Sequence, residues 1–317
     1  MHKRFAVLML ALMSLASLPL FARGNPTVAF FDIDLGYRQD RLNWSLGDAR
    51  KRGRHHGHGH HKGLKKISEL SWKNIRSRQV MANLMVINCH NIYFRGTAAY
   101  GNIFDGKETD KDFGGTKCDH FLIEKSKARA DKGEVFDLTA GVGYYFRFLC
   151  NRVQIAPLVG YSHHEQHFRM NDLRVVFDRN HEREGRVPGL DSSYRTRWFG
   201  PWAGVDLYLK MTRKWNLYAS AEIHYAYYRA RGNWNLRSDF VKDFKHNAIG
   251  WGQVYTWGLN YDLLCHWNVG IMGTYQSWCT TQGGKDRTFF RDGPRRTRLN
   301  KVRWHSVSVM GSIGFKY

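Results

Sequence analysis

Five cysteines, a histidine–glycine tract and several sets of charged residues carry the chemistry that this 317-residue sequence offers. Cys89, Cys150 and Cys265 stand in three short polar breaks, Asn88-Cys89-His90, Leu149-Cys150-Asn151 and Leu264-Cys265-His266, while Cys118 and Cys279 fall elsewhere. An odd total leaves at least one thiol without an intramolecular partner. His55, His56, His58, His60 and His61 alternate with glycine. Imidazole clusters of this kind can take Zn, Cu or Ni. A flexible basic loop that gains charge as pH falls is the reading adopted, and no metal or cofactor is expected. Arg291, Arg295, Arg296 and Arg298, with Lys285, Arg287 and Lys301 beside them, form a candidate anion site for lipid phosphate or acidic polysaccharide. The bland alternative is a solvated rim with counterions.

These residues need elements to hold them. Lys+Arg number 49 against 27 Asp+Glu, giving +22, and 43% of residues are hydrophobic and 15% aromatic, which excludes a disordered polar chain. Lys3 and Arg4 precede an apolar run from Phe5 to Phe21, so residues 1–22 read as a secretory signal and 23–317 as the mature domain. Beyond residue 25 no stretch approaches the roughly 20 apolar residues of a membrane helix. Instead, apolar residues recur at every second position. Phe136, Leu138, Ala140, Val142, Tyr144, Phe146 and Phe148 alternate with small or charged residues. Ten strands are expected, over 27–46, 67–87, 91–104, 135–149, 153–169, 195–211, 215–232, 250–264, 267–280 and 301–317. Short turns at 88–90, 150–152, 212–214 and 265–266 alternate with long polar loops at 47–66, 105–134, 170–194, 233–249 and 281–300. That regular alternation predicts an all-β fold: a closed antiparallel transmembrane barrel of the bacterial outer membrane, with short periplasmic turns and long outer loops. The terminal Gly314-Phe315-Lys316-Tyr317 resembles the signal read by the barrel assembly machinery.

The barrel gives the chemistry its places. Cys89, Cys150 and Cys265 fall on periplasmic turns, in an oxidising compartment, and Cys118 and Cys279 on the outer side. The turn cysteines would tie the barrel to envelope proteins through disulfides, or else Cys89 would bridge Cys150. Asp32, Asp34, Asp137, Asp206, Glu222 and His224 project into the lumen, with Lys73, Arg95 and Arg147 as expected partners. Such charges must pair or meet water. They form either a closed bracing network or a narrow polar conduit. Ten strands enclose too little space for a general diffusion pore.

Ile67-Ser68-Glu69-Leu70-Ser71-Trp72-Lys73 resembles the second-strand motif of the omptins, ten-stranded outer-membrane aspartyl proteases. Gly101-Asn102-Ile103, Phe136-Asp137-Leu138 and Gly160-Tyr161 follow in the omptin order. The resemblance implies a pair of Asp on the second loop, matched by Asp110 and Asp112, and an Asp-x-His on the fourth. There this chain has Asp243-Phe244-Lys245-His246, one residue longer. In omptins the His and Asp polarise a water and the facing carboxylates position it; one extra residue on a strand turns a side chain to the other face. The omptin lipopolysaccharide site is matched at Tyr161, whereas His163 and Glu165 stand where Glu and Arg are expected. In its basic, Cys- and His-containing character the chain also resembles the Protochlamydia outer membrane proteins, a porin-associated family.

The expectation is an outer-membrane barrel with a structural or narrow-pore role and a basic outer surface. Its partners would be outer-membrane lipid and lipopolysaccharide, the assembly machinery and disulfide-linked envelope proteins, with no nucleic acid. The alternatives are an omptin-like endopeptidase acting through Asp110, Asp112, Asp243 and His246, and an adhesin binding acidic polysaccharide.

Overall fold

Period-two alternation becomes strand throughout. The computed structural model describes residues 27–47, 66–115, 120–281, 283–291 and 293–317. The expected secretory segment, the histidine tract and Cys118 lie outside the described residues. The elements are β1 (Val28–Gly47), β2 (Lys66–Ile87), β3 (Ile92–Gly115), β4 (His120–Tyr144), β5 (Phe146–Phe148), β6 (Val153–Asp178), β7 (Gly185–Val187), β8 (Ser192–Lys210), β9 (Trp215–Asn233), β10 (Phe240–Asp262), β11 (Trp267–Thr280), β12 (Gly284–Phe290) and β13 (Gly293–Lys316). Ten of them, β1–β4, β6, β8–β11 and β13, pair antiparallel in sequence order. β13 then returns to pair with β1, from Phe30↔Lys316 to Gly47↔Arg298. The ten form a ring, which leaves no row of unpaired amides facing lipid. The short β5 and β7 extend β6, and β12 bridges β10 and β13.

β13 displays the rule that organises the whole wall. Val307, Val309 and Ile313 are 50%, 55% and 59% exposed, while Ser306, Ser308 and Ser312 between them are buried. Apolar side chains therefore face outward and polar ones inward, the reverse of a soluble sandwich and the arrangement lipid requires. Seven residues earlier on the same strand the chemistry inverts without a change of phase. Val302 and Trp304 point inward and are fully buried, and Lys301, Arg303 and His305 alternate with them on the outside.

The strands are far longer than a bilayer needs. β4 has 25 residues and β6 has 26, whereas about 9–11 suffice to cross. The excess lies on the long-hairpin side. Segments expected as loops at 105–134, 170–194, 233–249 and 281–300 are for the most part hairpin: Asp112 pairs with Glu124, Leu173 with Val187, Phe244 with Gly232 and Asp286 with Thr297. They read as loops because charge occupies the outer face and, in places, the inner one too. Lys107, Thr109 and Lys111 alternate with Glu108, Asp110 and Asp112, so no hydrophobic period survives.

Bulges keep the inner face in step. Between Lys73 and Arg76 the β2–β3 register shifts, and Asn74 takes φ 53°. The extra residue lets Trp72 and Ile75, three apart, both point inward. At the opposite end Leu149, Cys150 and Asn151 all take positive φ, making a tight turn with Cys150 exposed at its tip.

Candidate functional site

The outer half of the ring is filled with rings. Trp72, Trp198, Trp278, Trp304, Tyr194, Tyr228 and Phe168, drawn from β2, β6, β8, β9, β11 and β13, are each fully buried. Trp278 stacks on Trp304 at 5.4 Å, Trp198 lies 5.7 Å from Trp278, and Tyr228 lies 4.5 Å from Trp198. Trp72 stacks on Tyr194 at 4.8 Å and on Phe168 at 5.5 Å. Offset and edge contacts at these spacings add to the area burial that aromatics already supply. Together they form an aromatic plug in the outer part of the bore.

Two polar groups sit in and around this seal. His246 on β10 is completely buried, 4.8 Å edge-on from Trp44. Its Nδ1 lies 2.9 Å from the Tyr194 hydroxyl, which lies 2.7 Å from that of Tyr228. Its Nε2 is 3.3 Å from Asp286 Oδ1. One proton arrangement serves all four: Tyr228 donates to Tyr194, Tyr194 to Nδ1, and Nε2–H faces the carboxylate. Asp286 also accepts from Thr288 at 3.1 Å and Thr297 at 2.5 Å. Burial first, then Tyr228 and Asp286, hold the Tyr194 hydroxyl well above its ordinary range.

The second group is acidic. Glu108, Asp110 and Asp112 lie on the inner side of β3, opposite Trp72, Leu70 and Ser68, and Glu124 pairs with Asp112 across β4. Glu108 is 5% exposed, and burial pushes its carboxyl up to about 8. Burial, then the charges of Asp112 and Glu108, raise Asp110 well above its usual range. Asp112 is raised by burial and partly restored by the Ser68 hydroxyl and Arg237. Arg237, held bidentately by Asp239 at 2.9 Å, brings the fourth hairpin's charge toward these acids.

The four expected protease residues are not assembled as the omptin pattern implies. Asp243 faces outward, bonded to Arg231 and to Asn233 at 2.8 Å, while Phe244 and His246 face inward. The carboxylate is turned away: β10 keeps an unbroken register with β9 from Phe244 to Tyr261, and the register shift against β12 between Lys242 and Lys245 does not bring Asp243 to the inner face. Asp286 of β12, directly opposite His246 in the ladder, stands in its place. Sequence reasoning missed Asp286 because its hairpin had been read as loop. Trp72, opposite Glu108 in the β2–β3 ladder, stacks on Tyr194, whose hydroxyl meets His246, so aromatic rings link the two groups.

Below the seal lies an ionic network. Arg38 donates to Asp40 at 2.9 and 3.1 Å and to Asp137 at 2.6 Å, and His164 Nδ1 meets Asp137 at 3.0 Å. Trp304 Nε1 donates to Asp40 at 2.7 Å, tying the seal to the network. Arg95 donates to Asp206 at 2.6 Å, Tyr218 at 3.0 Å and Ser220 at 2.9 Å, and to Glu222. Glu222 also meets His224 Nε2 at 2.8 Å, and Ser162 meets His224 Nδ1 at 2.9 Å. Asp32, Asp34, Asp137, Asp206, Glu222 and His224 lie buried on the inner face, with Arg95 as partner of Asp206 and Glu222 only. Arg147 does not: it sits at the periplasmic end, exposed, donating to Asn91 at 2.6 Å, because its strand has run past the packed interior. Lys73 faces out at the bulge. Arg38, Asp40 and His164 were missed; the even-numbered phase of β1 and the His163–His164 step, whose neighbours face opposite ways, were the available signals.

The remaining candidates are dispersed. Cys89, Cys150 and Cys265 occupy the short turns and, with Cys279, are free thiols. Arg291 is exposed beyond β12, Arg295 and Arg296 take ladder positions in β13, and Arg298 lies beside Gly283. Tyr161 is exposed on the lipid face. Beside its row, Glu165 is held by Arg197 at 2.7 Å.

A profile of the Protochlamydia outer membrane protein family matches residues 32–317, nearly the whole ring. The chain belongs to this family. Its localisation is therefore the bacterial outer membrane. Among solved structures the outer membrane protease OmpT from Escherichia coli aligns with a TM-score of 0.73 at 11% identity, over 94% of this chain and 99% of that one. At that identity the likeness concerns the omptin-like barrel alone. OprG from Pseudomonas aeruginosa aligns with a TM-score of 0.34 at 11% identity, over 91% and 96% of the chains. No curated protein matches.

Proposed function

We propose that this family member is a sealed structural barrel of the outer membrane, not a conducting pore and not a protease in the omptin manner. The observation that carries the reading is the aromatic seal: Trp198, Trp278 and Trp304 cross the bore on three different strands and are each at most 1% exposed. A hydrated ion would have to displace packed rings. Below them the ionic network is committed to its own partners, as a brace would be. Planar-bilayer recording of the refolded protein tests this. No unitary steps are expected, and a triple Trp198→Ala, Trp278→Ala, Trp304→Ala variant should conduct. Regular steps from the unaltered protein would sink the reading.

A disulfide role at the periplasmic end belongs to the same proposal. Exposed Cys150 and Cys265 stand on the turns and are available to partners. Envelopes run on gels without reductant should contain higher species that collapse on reduction; a lone monomer band in both lanes removes this part.

One observation favours a second reading. His246 retains an acid partner, Asp286, while Asp110 and Asp112 keep their inward places. An endopeptidase built on this set would cleave fluorogenic peptides carrying basic dipeptides. Asp112→Asn and Asp286→Asn would abolish that cleavage and Asp243→Asn would spare it.

A further inference from the structure

Near its periplasmic mouth the lumen carries carboxylates that the bracing network does not reach. Asp32 is 7% exposed and Asp34 fully buried. Among the described residues neither forms an ion pair, and Asp32 accepts no hydrogen bond. Asp34 Oδ2 accepts from Asn83 at 2.6 Å and the Ser312 hydroxyl also faces the carboxylate, while by strict geometry the buried Oδ1 accepts no hydrogen bond. Arg38 is engaged with Asp40 and Asp137, and Arg95 with Asp206 and Glu222. Lys210, Arg213 and Lys316 line the mouth cavity with Asp32, yet none forms an ion pair with it, and the Lys316 ammonium lies 5.4 Å above the Phe30 ring. Uncompensated buried carboxylates are costly and call for a counter-charge.

The surroundings supply oxygen. Asp32, Gly314 and Asn268 form one lateral row across β1, β13 and β11, and Asp34, Ser312, Gly270 and Asn260 form the next, reaching β10. Asn268 Oδ1 is another buried oxygen without a partner. Gly314 is what lets the row close. A Cβ there would lie 2.0 Å from Asp32 Oδ1 and 2.6 and 2.7 Å from the Asn268 amide nitrogen and oxygen, so the bare glycine lets the two side chains approach each other over the backbone. Asp32 and Asn260 line both a 90 Å³ inner cavity and a 340 Å³ cavity at the periplasmic mouth, and Asn268 lines the latter. That gives water and ions a route in from the periplasm and room for retained hydration.

We propose that the Asp32–Gly314–Asn268 row, with Asp34 behind it and Asn260 beside it, is a binding site for a hard divalent cation of the calcium–magnesium class, entered from the periplasmic end. Carboxylate and amide oxygens with space for waters are the donor set such ions take, and softer metals prefer nitrogen or sulfur, which the row lacks. A divalent ion bound there would hold both carboxylates ionised and match their two charges. The ion would complete on this side of the lumen the neutralisation that Arg38 and Arg95 perform elsewhere. The site owes nothing to the sealed-barrel reading and would stand in a conducting barrel equally.

The test uses the refolded full barrel in detergent, stripped with EDTA and titrated with CaCl2, MgCl2 or NaCl at matched ionic strength. Calcium or magnesium at about 100 times its Kd should raise Tm by roughly 5–10 °C over EDTA, with saturable heat in calorimetric titration. Asp32→Asn should lose both signals, and in EDTA it should melt no lower than the unaltered protein, because an unpaired charge has gone. Gly314→Ala should also lose them, because its methyl displaces the Asp32 and Asn268 side chains while both carboxylates remain; heat-modifiable gel migration confirms that each variant has folded. Asp105→Asn, an exposed carboxylate beside Arg76 on the outer side, should retain the full shift. Equal shifts with sodium, no shift with any ion, or a shift that survives in folded Asp32→Asn and Gly314→Ala, as adventitious surface binding would give, overturns the assignment.

Discussion

Two interiors share one wall. In the half of the barrel that crosses the membrane the bore is ionic, with Arg38, Arg95, Asp137 and Glu222 at its centre, and the outside is Val, Ile and Leu. In the half that rises beyond the membrane the bore is aromatic and the outside is Lys, Arg and Thr. Strand phase is continuous through both, so the inversion is imposed by solvent: lipid outside forces polar groups in, and water outside lets apolar groups in. The halves are therefore held by different terms. The lower depends on charges finding partners out of water, where pairs matter chiefly because a lost partner is so costly. The upper depends on area burial and ring packing, as a soluble barrel would.

Changes that strike one half and spare the other test this contrast. The largest expected effect is in the lower bore. Arg95→Ala strands Asp206 and Glu222 together and should cost about 3–5 kcal/mol, read by urea unfolding in lipid vesicles; a loss below about 1 kcal/mol would mean that water, not Arg95, neutralises those acids. Next comes the outer face. Val309→Arg should cost about 2–4 kcal/mol, because it puts charge in hydrocarbon. The same replacement at Thr109, outward on the extracellular part of β3, should stay within about 0.5 kcal/mol. Equal costs at the two sites would erase the distinction between the halves.

The smallest effect is a slope. Buried Glu108 has its pKa raised to about 8 against an ordinary 4.5, so the folded barrel holds that proton while the unfolded chain releases it. Stability is then fullest below about pH 4.5 and declines as pH rises toward 8, the unfolded state binding fewer protons through that window. Tm should fall from pH 5 to pH 8 in the unaltered protein, and Glu108→Gln should flatten part of that fall; identical profiles would show that Glu108 ionises freely. Asp110, raised in the same direction, should supply the remainder.

Legibility in the sequence followed the same divide. Where lipid lies outside, Phe136, Leu138, Ala140 and Val142 announce the strand, and ten strands, their order and the lumen places of Asp137, Asp206, Glu222 and His224 could be read directly. Where water lies on the outside, charges on either face hide the period, so β12, the upper parts of β3, β4 and β6, and with them Asp286, went unseen. The Asp243–His246 spacing correctly signalled a carboxylate turned to the wrong face; that another hairpin supplies one could not be foreseen, since it depends on Asp286 falling opposite His246 across a ladder.

By itself, then, the sequence determined the kind of wall and its orientation, because a two-residue period and its greasy face are local properties written along one strand. Only the tertiary structure decided what meets inside. Trp72 on Tyr194, Arg95 between Asp206 and Glu222, and Asp32 beside Asn268 across Gly314 join residues from distant strands. Their meeting is set by the register and stagger of ring closure, which no single segment encodes.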